Sequence, residues 1–595
     1  MKNISFIKYL IIVVLFFAPL ISKAIHVDDF IYYATGNQYI GAFQVIINDL
    51  SIYLVLFLSI YISFIKLVPP IISIFIRIIT ILLFFTYIAD YLIIINFNTH
   101  LTIQDAFNYI SYTPQYILQA FINFNLRTIV LLISCSYLTI SFIIYKWKLK
   151  YKLINHVTII LVIIICINLL SYIPKDKYVH SWLYKNFIDY NRTILSESRQ
   201  YSSQFINEFQ YKEEILYSLN RKQKPNLILL VVESLSSYQS RLFSGIRNWT
   251  PSLDSIAIKN IAFTNFFSNG FCSEDGINTL LFGKLPIFPP GNFTDGGSTT
   301  GYLKLDIDVI NNALPVKLKK QGYHTEFITS YDLNYKGRRN FAHRIGFDYI
   351  EGNEHEFYNN WPRYQYNAAP DEALYQRVLK RVKSNNSKPY FFSVFTVSSH
   401  HPFKNPENGN KSEAEVFKYV DKQIGYFYRQ LEKYNFFENG LLLIVGDHRA
   451  MVPLKKEEIE IFGYSRAPAM IPLVIASENL NPKIITKYHQ QLDIYNSLSQ
   501  INLDSTHYSL WDGNIFSDDI KTPRYIAHRR GDNRDIISIF TSEQDYRVKL
   551  DGDNTKIVEG SPSTDEIRSE IINRINWERI PPINLKNNQR QIMIP

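Results

Sequence analysis

"NLILLVVES", Asn226 to Ser234, sets six consecutive apolar residues, Leu227 to Val232, in front of Glu233. A strand apolar at every position, rather than at every second one, is buried on both faces, as in a parallel sheet covered by helices. "GLLLIVGD" (440–447) follows the same rule, and "PYFFSVFTV" (389–397) and "HTEFITS" (324–330) read as further strands. Between them, "NNALPVKLKKQG" (311–322), "DEALYQRVLKRVKS" (371–384) and "EAEVFKYVDKQIGYFYRQLEKY" (413–434) carry helical spacing. Alternating strands and helices predict an α/β domain with a mostly parallel central sheet. In such sheets ligands gather beyond the carboxyl ends of the strands. Glu233 stands at one such end, Asp447 and His448 at another, Ser399, His400 and His401 at a third, and Ser330, Tyr331 and Asp332 at a fourth. A Glu, an Asp and a His meeting at one edge suit a divalent cation. Singly, each has a plainer reading: a carboxylate favouring a helix start, or a Gly-Asp turn.

Outward from this domain the composition changes. Before about Pro174 the 595-residue chain is dominated by Ile, Leu, Phe and Tyr, and a membrane part therefore precedes a globular one. Five apolar runs approach the roughly 20 residues needed to span a hydrocarbon core: Phe6–Ile21, Phe43–Ile65, Ile71–Ile95, Thr128–Tyr145 and Leu153–Tyr172. The first, flanked by Lys2 and Lys8 and ending in "APLISKA", reads as a retained anchor, with a cleaved signal peptide as the alternative. Lys66 and "KWKLKYK" (146–152) fall on the cytoplasmic side if the N-terminus starts inside, which sends everything after Tyr172 outside. Arg77 and Asp90 sit inside the third run, where a charge either faces a protein interior or snorkels to an interface. Residues 175–224 read as a juxtamembrane linker of amphipathic helices. The expected organisation is a five-helix membrane domain (1–174), this linker, and an extracytoplasmic catalytic domain (225–595). The net charge of +9 comes partly from the inner loops and is no nucleic-acid signal. Cys135 and Cys166 lie within spans and Cys272 has no partner outside, which excludes a disulfide scaffold.

The segments "NLILLVVESLS", "SEDGINTLLFGKLP", "YDLNYKGRRNFAHRIGFDYI", "PDEALYQRVL", "PYFFSVFTVSSHHPF", "YVDKQIGYFYRQLEKYNFFENGLLLIVGDH" and "QLDIYNSLSQI" occur in one order between Pro225 and Ser517. In that order they resemble the sulfatase-like branch of the alkaline phosphatase superfamily, most closely the lipoteichoic acid synthase group of membrane enzymes. The resemblance implies a nucleophile ahead of a short helix whose far end carries Gly. Counted from Gly276 and Gly283, it falls on Ser273, with Cys272 one residue early. It implies one divalent cation (Mn²⁺, Mg²⁺ or Zn²⁺) held by Glu233, Asp447, His448 and the Ser273 oxygen. His400 matches a substrate-contacting, catalytic histidine, while His401 is expected to turn away. Asp332 and Tyr335 match the border of a head-group pocket, with Arg338 and Arg339 nearby as phosphate contacts. Arg449 replaces the glycine that relatives carry after the Asp-His pair, and is expected to reach an anionic group or crowd the cleft.

On this resemblance the chain is expected to be a multi-pass enzyme of the bacterial plasma membrane. It would transfer a phospholipid head group through a covalent Ser273 intermediate to a hydroxyl of an envelope glycan, lipid or polymer. The donor would be phosphatidylglycerol in preference to phosphatidylethanolamine, since the disulfides and threonine nucleophile usual in phosphoethanolamine transferases are absent. The alternatives are a hydrolase of the same superfamily and a non-catalytic domain. Sulfate-ester hydrolysis is disfavoured because "SEDGI" lacks the Pro and Arg that accompany formylglycine formation.

Overall fold

A computed structural model describes residues 17–29, 40–63, 68–97, 100, 101, 103, 181–194, 201–219, 224–287, 310–384, 389–452, 454–517, 524–531, 536–580 and 590–593. The chain divides into two compact units, 1–197 and 198–595, so the stretch 175–224 is shared between them.

In the first unit, helices α1 (17–29), α2 (Ile40–Ser63), α3 (Pro70–Phe97) and α4 (Phe187–Ile194) are described. The apolar runs at Phe43–Ile65 and Ile71–Ile95 fall on α2 and α3, only the end of the first run is described, and the fourth and fifth lie outside the described residues. Among the described residues, one helix, Pro70–Ile94, is long and apolar enough to cross a membrane, with mean hydropathy 2.4. Asp90 is buried against His100 Nδ1 at 3.0 Å, whereas Arg77 reaches back to the side chain and carbonyl of Ser63, each 3.2 Å away, beside the α2–α3 turn. A further buried pair, Lys23 to Asp49 at 2.7 Å, is joined by the Tyr87 hydroxyl, which donates to Asp49 at 2.8 Å.

The second unit is organised on the strand that opened the sequence reading. Its eight-stranded sheet uses β1 (Asn226–Val232), β2 (Ile261–Phe263), β3 (His324–Thr329), β4 (Tyr349–Glu351), β5 (Tyr390–Phe395), β6 (Gly440–Gly446), β7 (Leu473–Ala476) and β8 (Lys483–Ile485). Their order across the sheet is β8-β2-β7-β6-β1-β5-β3-β4. β1 lies at the centre, parallel to β5 and β6, and only β7 runs against its neighbours. Alternate β1 residues feed two cores. Leu227, Leu229 and Val231 meet α6 (Ser273–Phe282), α7 (Leu314–Lys320), α8 (Arg338–Arg344) and α12 (Gln491–Ser499). Ile228, Leu230 and Val232 meet α5 (Pro251–Ile258), α9 (Asp371–Ser384) and α10 (Glu413–Lys433). The continuous apolar runs are thus the signature of two-sided burial, at about 25 cal/mol per Å² of apolar area.

Helix α11 (Lys456–Arg466) follows β6. Beyond the large sheet stands a second, antiparallel one of four strands, β9 (Ile526–Arg529), β10 (Ile536–Phe540), β11 (Asp545–Lys549) and β12 (Lys556–Glu559), backed by α13 (Asp565–Arg579). One expectation is corrected. Within the stretch 175–224, read as amphipathic helices, the described residues 201–219 form the short helix Ser203–Glu208 and then two strands. Tyr211–Glu214 pairs with Arg590–Met593 and Leu216–Leu219 with Ser505–Tyr508. Long-range pairing overrides local spacing there.

Candidate active site

The carboxyl ends of β1 and β6 are adjacent in the sheet, which brings Glu233 beside Asp447 and His448 across 214 residues of sequence. Their ligand atoms all lie within 4.8 Å of one another, and all three residues are buried. Backbone and hydroxyl groups aim them. Asp447 Oδ1 accepts from the backbone N–H groups of Ser234 (2.7 Å) and His448 (2.8 Å), which leaves Oδ2 facing His448 Nε2 at 3.2 Å. The Ser234 hydroxyl donates to Glu233 Oε1 at 2.8 Å, an arrangement reached with Ser234 in the left-handed region at φ 57°. From the end of β5, Thr396 Oγ1 accepts from the Glu233 N–H at 3.0 Å, and the Ser399 hydroxyl donates to the Glu233 carbonyl. His448 Nδ1 donates to the Arg449 carbonyl at 2.7 Å, so Nε2 is the nitrogen that faces the carboxylates.

Ser273 opens α6, and its Oγ lies 3.2 Å from both Glu233 Oε2 and His448 Nε2. It is half-buried, while Cys272 at the N-cap is buried and its thiol is pushed well above the usual range by desolvation. Gly276 allows the approach of α6 to β6. A Cβ at this position would meet the Asp447 carbonyl oxygen at 2.7 Å. The same carbonyl accepts from Gln491 Nε2 at 2.7 Å on α12.

Burial and mutual contact perturb the charges of the cluster strongly. Burial, then the neighbouring Asp447, push the Glu233 carboxyl up to about 8. Burial alone would lower His448, but Asp447 and Glu233 outweigh it and raise the imidazole to about 10. Burial alone would raise Asp447, but His448 outweighs it and holds that carboxyl below its usual range, so a charged Asp447 stands beside Glu233, and a divalent cation among two carboxylate oxygens and an inward Nε2 would relieve the repulsion between them. The donor set fits one.

The remaining expected residues have other partners. His400 Nδ1 donates to the His401 carbonyl at 2.6 Å, so Nε2 accepts from the Tyr366 hydroxyl at 3.0 Å. Burial holds His400 down to about 4, hence neutral near pH 7. Tyr366, at φ 53°, also packs on Tyr335 with ring centroids 4.7 Å apart and was not anticipated. Asp332 Oδ1 caps the turn by accepting from the Asn334 N–H at 2.8 Å. Arg338 is buried against Glu274 at 3.0 Å, next to the nucleophile position, and Arg339 pairs with Glu354. Arg449 turns from the cluster. Its Nε and Nη2 each donate to Glu458 at 2.7 Å, and Nη1 donates to the carbonyls of Ala450 and Val452. The anionic group it reaches is thus Glu458 of the same chain, which carries no local signal that would have revealed it.

Residues 225–501 match the sulfatase family model. The chain is 22% identical to lipoteichoic acid synthase 1 of Bacillus subtilis over 183 residues, 27% of this chain and 28% of that protein. It is 29% identical to human N-acetylgalactosamine-6-sulfatase over 119 residues, 19% of this chain and 23% of that one. The matches thus span about a quarter of each curated relative. Among solved structures, an alkaline phosphatase superfamily protein from Vibrio parahaemolyticus is 21% identical, with 61% of this chain and 90% of that one covered at a TM-score of 0.46. The lipoteichoic acid synthase LtaP from Listeria monocytogenes is 18% identical, with 63% and 96% covered at the same TM-score.

Proposed function

We propose, from the premise that residues 225–501 form a sulfatase-family domain of the alkaline phosphatase superfamily, that the chain is a metal-dependent phosphotransferase with Ser273 as its nucleophile. The observation that carries this reading is the placement of Ser273 Oγ 3.2 Å from both Glu233 and His448, inside the only three-residue metal-ligand cluster among the described residues. When bound, a divalent cation held by Glu233, Asp447 and His448 supplies Lewis-acid polarisation and favours the serine alkoxide. Mn²⁺, Mg²⁺ and Zn²⁺ all suit the donor set.

Ser273 Oγ attacks the phosphorus of a lipid phosphodiester, with Glu233 Oε2 at 3.2 Å as acceptor for its proton. An Oγ–P bond forms, the bond from phosphorus to the glyceride oxygen breaks, and that oxygen takes up a proton and leaves as diacylglycerol. The start of α6 at Ser273 favours the phosphoryl oxygens through the helix dipole. An acceptor hydroxyl on an envelope glycan, lipid or polymer then attacks the same phosphorus, a new O–P bond forms as the Oγ–P bond breaks, and the proton the acceptor loses is balanced by the one that Ser273 Oγ regains from Glu233. Neutral His400, through Tyr366, lines the pocket and orients the head group together with Asp332 and Tyr335. The apolar N-terminal part holds the domain at the outer side of a bacterial plasma membrane in five spans, where the donor is concentrated.

The donor we favour is phosphatidylglycerol. Incubation with phosphatidylglycerol or phosphatidylethanolamine, followed by mass spectrometry of the Ser273 peptide, tests this directly. A phosphoglycerol adduct is expected, a phosphoethanolamine adduct would change the donor, and no adduct on Ser273 with either lipid would defeat the proposal. The likeness to a sulfatase favours a second reading, in which water replaces the acceptor hydroxyl. Release of free head group with acceptor present, and no head-group-bearing acceptor product, would select it.

A further inference from the structure

The second sheet lies beyond the residues matched to the sulfatase family, yet its first strand runs along the loop that carries Ser273. Three successive residues of β9 bind this loop. The Ala527 carbonyl accepts from Asn269 Nδ2 at 2.7 Å, His528 Nδ1 donates to the Ser268 carbonyl at 2.8 Å, and the Arg529 N–H donates to the Asn269 carbonyl at 2.8 Å. The Arg529 side chain continues towards the nucleophile. Its Nη1 lies 3.2 Å from Asp275 Oδ1, and its guanidinium stands 5.8 Å from the centre of the Phe271 ring. Asp275 in turn ties the first turn of α6 to the loop before it, because its Oδ2 accepts from the Phe271 N–H at 3.3 Å. The loop closes so tightly on Asp275 that a Cβ on Gly270 would lie 2.1 Å from the Asp275 Cβ. Asp275 and Arg529 are both buried.

We infer that Arg529 is a positioning residue for Ser273: through Asp275 it fixes the first turn of α6 in the rotation that aims the serine oxygen at Glu233 and His448. The inference rests on the reading of Ser273 as the nucleophile. Two features make a passive ion pair a poor description. Asp275 joins both sides of the nucleophile, residue 271 before it and α6 after it, so its displacement turns the serine. The two carboxylates following Ser273 are also matched one for one, Glu274 by Arg338 and Asp275 by Arg529, which reduces the negative charge met by an approaching phosphodiester. The antiparallel sheet is thereby part of the catalytic apparatus rather than an appendage.

The test uses the full chain in detergent with Mn²⁺ and bis(4-nitrophenyl) phosphate as the probe, comparing wild type, Arg529→Met and Arg529→Lys. Arg529→Met is expected to lower kcat about tenfold or more with KM within about twofold, and Arg529→Lys to recover most of the loss. Hydrogen exchange of the 268–276 peptide is expected to rise in Arg529→Met and return in Arg529→Lys. Unchanged kcat, a loss that lysine does not relieve, or unchanged exchange over 268–276 would overturn the inference. Absence of turnover by the wild type counts against the proposed phosphoryl transfer, and the exchange measurement then decides the positioning role alone.

Discussion

Gly276→Ala should separate the position of the nucleophile from the integrity of the metal ligands. The added Cβ would sit 2.7 Å from the Asp447 carbonyl oxygen, about 0.7 Å inside the 3.4 Å at which ordinary contact begins. No rotamer relieves this clash, since the atom it meets is backbone. The carbonyl is held by Gln491 Nε2 at 2.7 Å, so the compliant partner is the start of α6. A displacement of some tenths of an ångström carries Ser273 away from Glu233 and His448. A misplacement of about 1 Å costs about 100-fold in rate, so a fall in kcat between about 10- and 100-fold is expected. Overpacking should cost about 1–3 kcal/mol of stability, a few degrees in Tm. The assay combines turnover of a chromogenic phosphodiester, thermal unfolding, and calorimetric titration with Mn²⁺. The reasoning predicts a large fall in kcat while the Kd for Mn²⁺ stays within about threefold, because Glu233, Asp447 and His448 do not move. Activity within twofold of wild type would refute it, and a rise in Kd parallel to the loss of kcat would mean that β6 yields instead of α6.

Other expected outcomes follow from the same geometry. Ser273→Ala should lower turnover about a thousandfold or more and abolish the lipid-derived adduct, as read by mass spectrometry. Removal of divalent cations by a chelator should make stability fall as pH rises. Glu233 is raised from 4.5 to about 8 and His448 from 6.5 to about 10, so their proton-linked stability is present below the unfolded values and lost towards the folded ones. Added Mn²⁺ should remove that decline, and an unaltered Tm against pH profile would contradict the cation site. Arg449→Ala leaves Glu458 buried without its partner and should cost about 3–5 kcal/mol in chemical denaturation. A raised KM with unchanged stability would instead restore Arg449 to the substrate.

The two arginines show where local sequence stops carrying information. Arg449 was read by its neighbours, Asp447 and His448, yet its guanidinium is spent on Glu458, nine residues on and across a turn. Arg529 drew no notice because nothing near it in sequence bears on chemistry, and its partner Asp275 lies 254 residues away. Tyr366 stayed hidden for a different reason. It meets His400 from a segment with consecutive left-handed backbone angles at Tyr366 and Asn367, which asparagine adopts readily but which a tyrosine does not advertise. The strands 211–214 and 216–219 were missed because each is four residues long and is stabilised by pairing with residues hundreds of positions later.

What the sequence alone determined is the four adjacent central strands, β6, β1, β5 and β3, and the edge at which the chemistry gathers. Burial on both faces favours the apolar runs of β1, β5 and β6, unbroken from Leu227 to Val232 and interrupted in β5 only by Ser393, so the polar residues beyond each run, Glu233, His400, Asp447 and His448, stand out against them. Three of the covering helices, α7, α9 and α10, were legible too, and α9 spans the same residues that its spacing marks. Only the tertiary structure decided the lateral order of the strands, the reversed β7, the second sheet and the partner of each buried charge. These depend on which surfaces meet after the chain has closed. The free energy of such a meeting lies in the pair of surfaces, and neither member's local sequence records it.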